Sequence, residues 1–131
     1  MPYATRADLE FRYGAEEVSL RESVLPAGAL DRILQSVDAE IDAYLAGRYA
    51  IPLSPPPENV INFAAAIARY RLLGEAASDH ARTEYEDARA FLRDVQSGRA
   101  RLDAAATVSG ASPSEAVVAT GRRRVFGGGL L

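Results

Sequence analysis

Between Leu30 and Leu45 the apolar residues fall at Leu30, Ile33, Leu34, Val37, Ile41, Tyr44 and Leu45. Steps of three, one and four put them on one side of an α-helix. Asp31, Arg32, Asp38, Glu40 and Asp42 lie mostly off that side. Pro26 suits the first turn of this helix, where its missing N–H costs little, and Gly47 marks the end. A second pattern, Ala81, Tyr85, Ala88, Leu92 and Val95, predicts a helix over Ser78–Gln96 that Gly98 stops. Arg82 with Glu86, and Glu86 with Arg89, add helical ion pairs worth a few tenths of a kcal/mol each. Between these two patterns "VINFAAAIARYRLL" is apolar almost all round. It predicts a helix from Pro57 to Leu73, buried on several sides and ended by Gly74. Near the start, Thr5 with Asp8 three residues on is close to a capping box. The short helix that follows carries Leu9 and Phe11 and reaches Tyr13, with Gly14 as its stop. Ala15–Arg21 suits one further helical turn, with a strand as the weaker reading. The predicted fold is all-α: a compact bundle of about four helices over residues 1–103.

Two stretches break the pattern. The first, "GRYAIPLSPPP" at 47–57, follows the second helix directly. Pro55, Pro56 and Pro57 hold the backbone near polyproline II and forbid a helix until they are passed. Together with Gly47, Arg48, Tyr49 and Pro52 they form a strap, an elbow that sets where the next helix begins. The second, from residue 104 onward, is small, polar and glycine-rich without a lasting period. Val108 and "AVVAT" suit short strands. The last ten residues are expected to be mobile in an isolated subunit. They nevertheless carry Val125, Phe126, Leu130 and Leu131 beside Arg122, Arg123 and Arg124, a sticky charged segment that suits a partner surface.

Composition removes much chemistry. The 131 residues include no cysteine, no tryptophan and one histidine. Disulfides, thiolate metal sites and cysteine nucleophiles are therefore excluded. All 15 basic residues are arginine, whose planar fork favours bidentate ion pairs at subunit contacts. A net charge of −3 and a pI near 5.2 argue against a general coat for duplex DNA. No apolar run approaches the roughly 20 residues of a membrane span. The opening "MPYATRADLE" lacks the basic segment and apolar core of a signal peptide, so synthesis and use in the cytoplasm are expected.

The remaining candidates for chemistry have plainer readings. His80 has no partners at ligand spacing and reads as a surface or capping residue. Asp38 and Asp42 share a helix face and could bind magnesium or serve acid–base work, but no histidine, lysine or glycine-rich turn accompanies them. A solvated face is the better reading, with Asp42 available for an ion pair to an arginine near the strap. Arg122–Arg124 suit phosphates or an acidic protein surface; the adjoining Val125 and Phe126 favour protein. "GGG" at 127–129 is not a phosphate loop, since no strand precedes it and no Lys-Ser/Thr follows. Tyr44, Tyr49, Tyr70 and Tyr85 read as core or rim residues with satisfied hydroxyls. No catalytic residue, metal site or cofactor is expected.

Several segments, read together, carry a resemblance. "AEIDAYLAGRYAIPL", the proline cluster, "FAAAIARYRLLGE" and "YEDARAFLRDVQSGRARL" resemble the Mu-like phage family of small head–tail connector proteins, the helical neck adaptors. "YATRADLEFRYGAEEV" and the terminal "RRRVFGGGLL" fit as well, the family tending to carry an Arg-x-Phe segment there. The resemblance implies a non-enzymatic structural virion protein at the head–tail interface. It implies a homo-oligomeric ring, commonly a dodecamer, bound to the portal protein. Such a ring extends the DNA channel, lets genomic DNA pass without specific binding, and docks the next neck or tail-completion protein. It involves no membrane. The residues themselves keep two other classes open. One is a small helical regulatory protein binding nucleic acid through Arg122–Arg124. The other is a hydrolase using Asp38 and Asp42.

Overall fold

The computed structural model describes residues 2–102. They form five α-helices: α1 (Arg6–Tyr13), α2 (Ala15–Ser23), α3 (Ala29–Leu45), α4 (Glu58–Leu73) and α5 (Asp79–Ser97), with one 3-10 turn at Gly74–Ala76. No strand lies among the helices, so the all-α expectation holds for the described residues. No described helix is long and apolar enough to cross a membrane. The expected division at 103/104 and the strands proposed near Val108 and 116–120 lie outside the described residues.

Local signals set most boundaries. At α1 the capping box is complete: Thr5 Oγ1 accepts the Asp8 N–H at 3.2 Å and Asp8 accepts the Thr5 N–H at 2.8 Å. Ser78 caps α5 by accepting the Ala81 N–H at 3.1 Å, and Gly98 stops it in the left-handed region at φ 89°. Helix α4 starts directly after Pro57, which is extended at φ −62°, ψ 154°.

Two expectations need correcting. Ala15–Ser23 is a helix of its own rather than an added turn, which makes five helices, not about four. A single glycine joint, Gly14 at φ 96°, ends α1 and starts α2. No side chain caps α2 there; Glu16 and Glu17 face the positive end of its dipole instead. Pro26 is not in the first turn of α3. Its carbonyl accepts the Ala29 N–H at 3.1 Å in the preceding turn, and α3 begins after a left-handed Gly28. Gly47 follows the Ala46 cap of α3 and so marks its end as expected, without a positive φ. The chain leaves α3 through a helical turn in which the Tyr49 N–H still reaches the Leu45 carbonyl at 2.9 Å.

Helix α4 is the centre. It packs on α3 and α5 most extensively and also touches α1 and α2. Val60, Ala64 to Ala68 including Ile67, Leu72 and Leu73 are all buried, as the all-round apolar pattern predicts. From α3 come Leu30, Leu34, Val37, Ile41 and Leu45, and from α5 Ala81, Ala88, Leu92 and Val95. Leu9 and Val18 are the inward contributions of α1 and α2. Tyr70 stacks on Tyr85 with centroids 4.2 Å apart, and Phe63 tilts against Phe91 at 4.7 Å.

Arginines fasten the outer helices within the chain. Arg69 grips Glu17 with both arms of its fork, at 2.9 and 3.1 Å, which joins α4 to α2. Arg21 donates to the Leu73 carbonyl at 3.0 Å and so caps the end of α4. Arg71 bonds Glu40 and, at 3.1 Å, Ser36, tying α4 to α3. The pairs expected through Glu86 do not form: Arg82 turns to Asp79 at 3.3 Å and Arg89 lies 3.7 Å from Glu40.

Candidate functional site: the elbow

Residues 46–57 connect α3 to α4 with no helix of their own. Such a segment cannot fix its course by repeating backbone bonds, so side chains from elsewhere must hold it. Two clasps do this.

The first holds the start. Arg48 Nε donates to the Gln96 carbonyl at 2.8 Å, at the C-terminal end of α5. A cation there meets the negative end of the helix dipole. Gly98 makes room for it: a Cβ at that position would lie 2.9 Å from the Arg48 guanidinium. Next along, Tyr49 is buried and its hydroxyl accepts the Leu102 N–H at 2.9 Å.

The second clasp holds the middle and is buried. Tyr3 is only 3% exposed. Its N–H donates to Asp38 at 2.9 Å, its hydroxyl donates to Asp42, and the same hydroxyl accepts the Leu53 N–H at 3.0 Å. One side chain thus joins the N-terminal segment, the polar flank of α3 and the proline stretch. Leu53 itself is buried in the core.

Burial, helped by the bond to Asp42, pushes the Tyr3 hydroxyl up to about 12. The Leu53 N–H opposes that shift, because a donor favours the phenolate. Burial also raises the Asp38 carboxyl, opposed by the N–H of Tyr3. The two carboxylates are therefore partly buried hydrogen-bond acceptors and not a solvated pair. Asp42 takes the Tyr3 hydroxyl, not an arginine near the strap. Among the described residues no group of three or more His, Asp or Glu side chains is arranged to hold a metal ion.

Of the residues singled out from sequence, Tyr49 is buried, Pro56 and Pro57 are half-buried, and Gly47, Arg48, Pro52 and Pro55 are exposed. The peptides Ile51–Pro52 and Ser54–Pro55 are cis, and Pro57 at φ −62°, ψ 154° lies in the polyproline II region. Arg122, Arg123, Arg124, Val125, Phe126, Leu130 and Leu131 lie outside the described residues. His80 is exposed and 3.5 Å from Glu84. Sequence reasoning missed Tyr3, Leu53, Gln96 and Leu102. An isolated tyrosine just before a helix cap was a signal for the first; backbone partners leave no signal.

A family model described as Bacteriophage Mu, Gp36 matches residues 3–120. Its span takes in both clasps and every described helix, and stops short of Arg122. The Mu-like prophage FluMu protein gp36 of Haemophilus influenzae (strain ATCC 51907 / DSM 11121 / KW20 / Rd) is 36% identical over 105 residues, covering 76% of this chain and 74% of that protein. Since the match runs from the Tyr3 clasp through the whole bundle, the chain belongs to the Bacteriophage Mu Gp36 family and is a Mu-like phage protein.

Proposed function

We propose that this protein is a non-enzymatic structural component of the virion, a head-to-tail adaptor. Copies form a ring, on the resemblance a dodecamer, below the portal protein. The ring lengthens the DNA channel and receives the next neck or tail-completion protein. Assembly takes place in the host cytoplasm, and no cofactor, metal or membrane takes part.

The observation that carries this reading is the elbow with its two clasps. A ring repeats one subunit shape, because each copy must offer one patch to a different patch on its neighbour. Any freedom in the angle between α3 and α4 would be repeated at every step. Arg48, Tyr49 and Tyr3 remove that freedom through contacts far apart in sequence. Membership of a Mu-like phage family supports the same reading. So does the acidic balance of −3, since a basic lumen would hold phosphates as DNA slid past.

Two experiments test it. Electron microscopy of particles made without this protein should show DNA-filled heads lacking tails; normally tailed particles would refute the adaptor role. Replacing Pro55–Pro57 by Gly-Ser-Gly should leave helical circular dichroism nearly intact while particle yield falls. Undiminished yield would show that the elbow's stiffness is irrelevant to assembly.

A further inference from the structure

Four large apolar side chains stand exposed among the described residues: Phe11, Leu20, Val24 and Ile51. Phe11 is the extreme at 91%. It rims an open cleft of about 560 Å³ shared by α1, α4 and α5 and lined by Phe11, Arg12, Tyr13, Arg69, His80 and Glu84. Tyr13 forms an aromatic wall, with the Arg69 guanidinium 4.2 Å above its ring. The fork of Arg69 is taken by Glu17, and Arg12 is drawn to Asn62 at 2.7 Å. Glu84 is different. Its contacts are all long: Arg69 at 3.5 Å, His80 at 3.5 Å and the Tyr13 hydroxyl at 3.4 Å. A carboxylate with acceptor capacity to spare thus shares a cleft with a bare phenyl ring. The ligand that satisfies both presents a guanidinium and an aromatic ring close together.

This chain contains such a ligand. "RRRVF" at 122–126 sets Arg124 two residues before Phe126, and side chains two apart share one side of an extended backbone. Within the cleft Arg12 and Arg69 are already engaged by Asn62 and Glu17, which leaves the Glu84 carboxylate to meet a segment, 122–131, that carries three arginines and no acid. Reach agrees too, since the twenty residues after Leu102 span up to about 65 Å when extended. That reach spans the cleft of the same copy as well as a neighbour's, and the ring reading selects the neighbour. Leu102 is held by Tyr49 beside the C-terminal end of α5, while His80 and Glu84 lie in its first two turns. From Glu84 to Ser97 the helix rises about 20 Å. Departure and receiving points on different patches of the subunit are what a heterologous, ring-forming contact requires.

We propose that residues 122–131 of one copy dock in this cleft on a second copy, with Arg124 on Glu84 and Phe126 between Phe11 and Tyr13. The proposal deepens the ring reading and rests on it.

The test uses two full-length double variants, a cleft variant (Phe11→Ser, Glu84→Gln) and a C-terminal variant (Arg124→Ser, Phe126→Ser). Sedimentation velocity should show wild type self-associating, each variant monomeric alone, and the mixture giving one-to-one pairs. A labelled peptide of residues 120–131 should bind the C-terminal variant, and adding Phe11→Ser should weaken that binding by about tenfold or more, the scale of a lost aromatic anchor. Peptide binding indifferent to Phe11 and Glu84 overturns the proposal. A monomeric wild type that refuses the peptide while the C-terminal variant accepts it also overturns it, in favour of docking on the same copy. If both variants still close into rings, the proposal fails and the ring reading stands. If the peptide binds and the mixed pairs form but wild type yields only open chains, the docking stands and the ring reading fails.

Discussion

Helix α4 and the elbow that precedes it are adjacent in the chain and held in place by opposite means. The helix is wrapped by four others, and its position follows from volume: small alanines between Val60, Ile67 and Leu72 set how closely its neighbours approach. No single contact matters much to where it lies. The elbow has two buried anchors, Tyr49 and Leu53, and exposes Ile51, Pro52 and Pro55. Its course depends on a few hydrogen bonds supplied by Tyr3, Arg48 and Leu102. A close-packed core loses stability with the volume removed from it, whereas a clasp of three or four polar atoms leaves a buried group unsatisfied when one is lost.

That contrast can be broken from either side. The largest effect should come from the helix: Ile67→Ala removes a fully buried side chain and should cost about 2–5 kcal/mol, read as a shift in urea midpoint. A midpoint unchanged from wild type would show that α4 is not the centre of the core. Next is Tyr3→Phe, which strips the Leu53 N–H of its acceptor and Asp42 of its donor, for a loss of about 1–3 kcal/mol. It carries a pH signature. In the fold the Tyr3 hydroxyl keeps its proton to about pH 12, against an ordinary value of 10.0. Between those values the folded chain binds the proton that the unfolded chain has released. Stability is therefore complete below pH 10 and declines as pH climbs toward 12, by up to about 3 kcal/mol. Tyr3→Phe should lack this decline; parallel stability curves for the two proteins would remove the hydroxyl from the clasp.

Gly98→Ala is smaller, about 1–2 kcal/mol, because an alanine must enter a backbone at φ 89°. The clash with Arg48 adds little, since a guanidinium tip moves cheaply. Repeating the substitution in an Arg48→Ala background should give nearly the same cost, and a cost that disappears would mean the clash dominates. Smallest is Asp38→Asn. Burial raises the Asp38 carboxyl, so the ionised form is disfavoured in the fold and more so as pH rises above the ordinary carboxylate range. Asparagine keeps an acceptor for the Tyr3 N–H without the charge. Its melting temperature at neutral pH should be equal to or slightly above that of wild type, and a clear drop would show that the charge itself stabilises the clasp.

Much of the bundle was legible because each long helix advertises both its face and its ends. Thr5 with Asp8, Ser78, Gly74 and Gly98 act through atoms within a few residues of themselves. Helix α2 was underread because "AEEVSLRES" shows only Val18 as an inward residue. What holds it is Glu17 on Arg69, Arg21 on the end of α4 and Glu22 bonded to Arg6, and such partners have no period. Likewise the strap was visible from its prolines, and Arg48 and Tyr49 within it make the first clasp, but Tyr3, far away in sequence, and its partner Leu53 were not. The Phe11 cleft was invisible, since α1 shows only that Phe11 is not on the face of Leu9.

The order of residues by itself determined the helical class, the long helices and their stops, the proline break and the absence of cysteine chemistry. These follow from backbone preference and periodicity, which act over one or two turns. Tertiary structure decided which carboxylates are buried, that one tyrosine near the start fastens a segment fifty residues away, and that a phenyl ring and an underused glutamate share a cleft. Those outcomes depend on which surfaces meet when the helices pack, and local sequence does not encode distances between residues that only the finished core brings together.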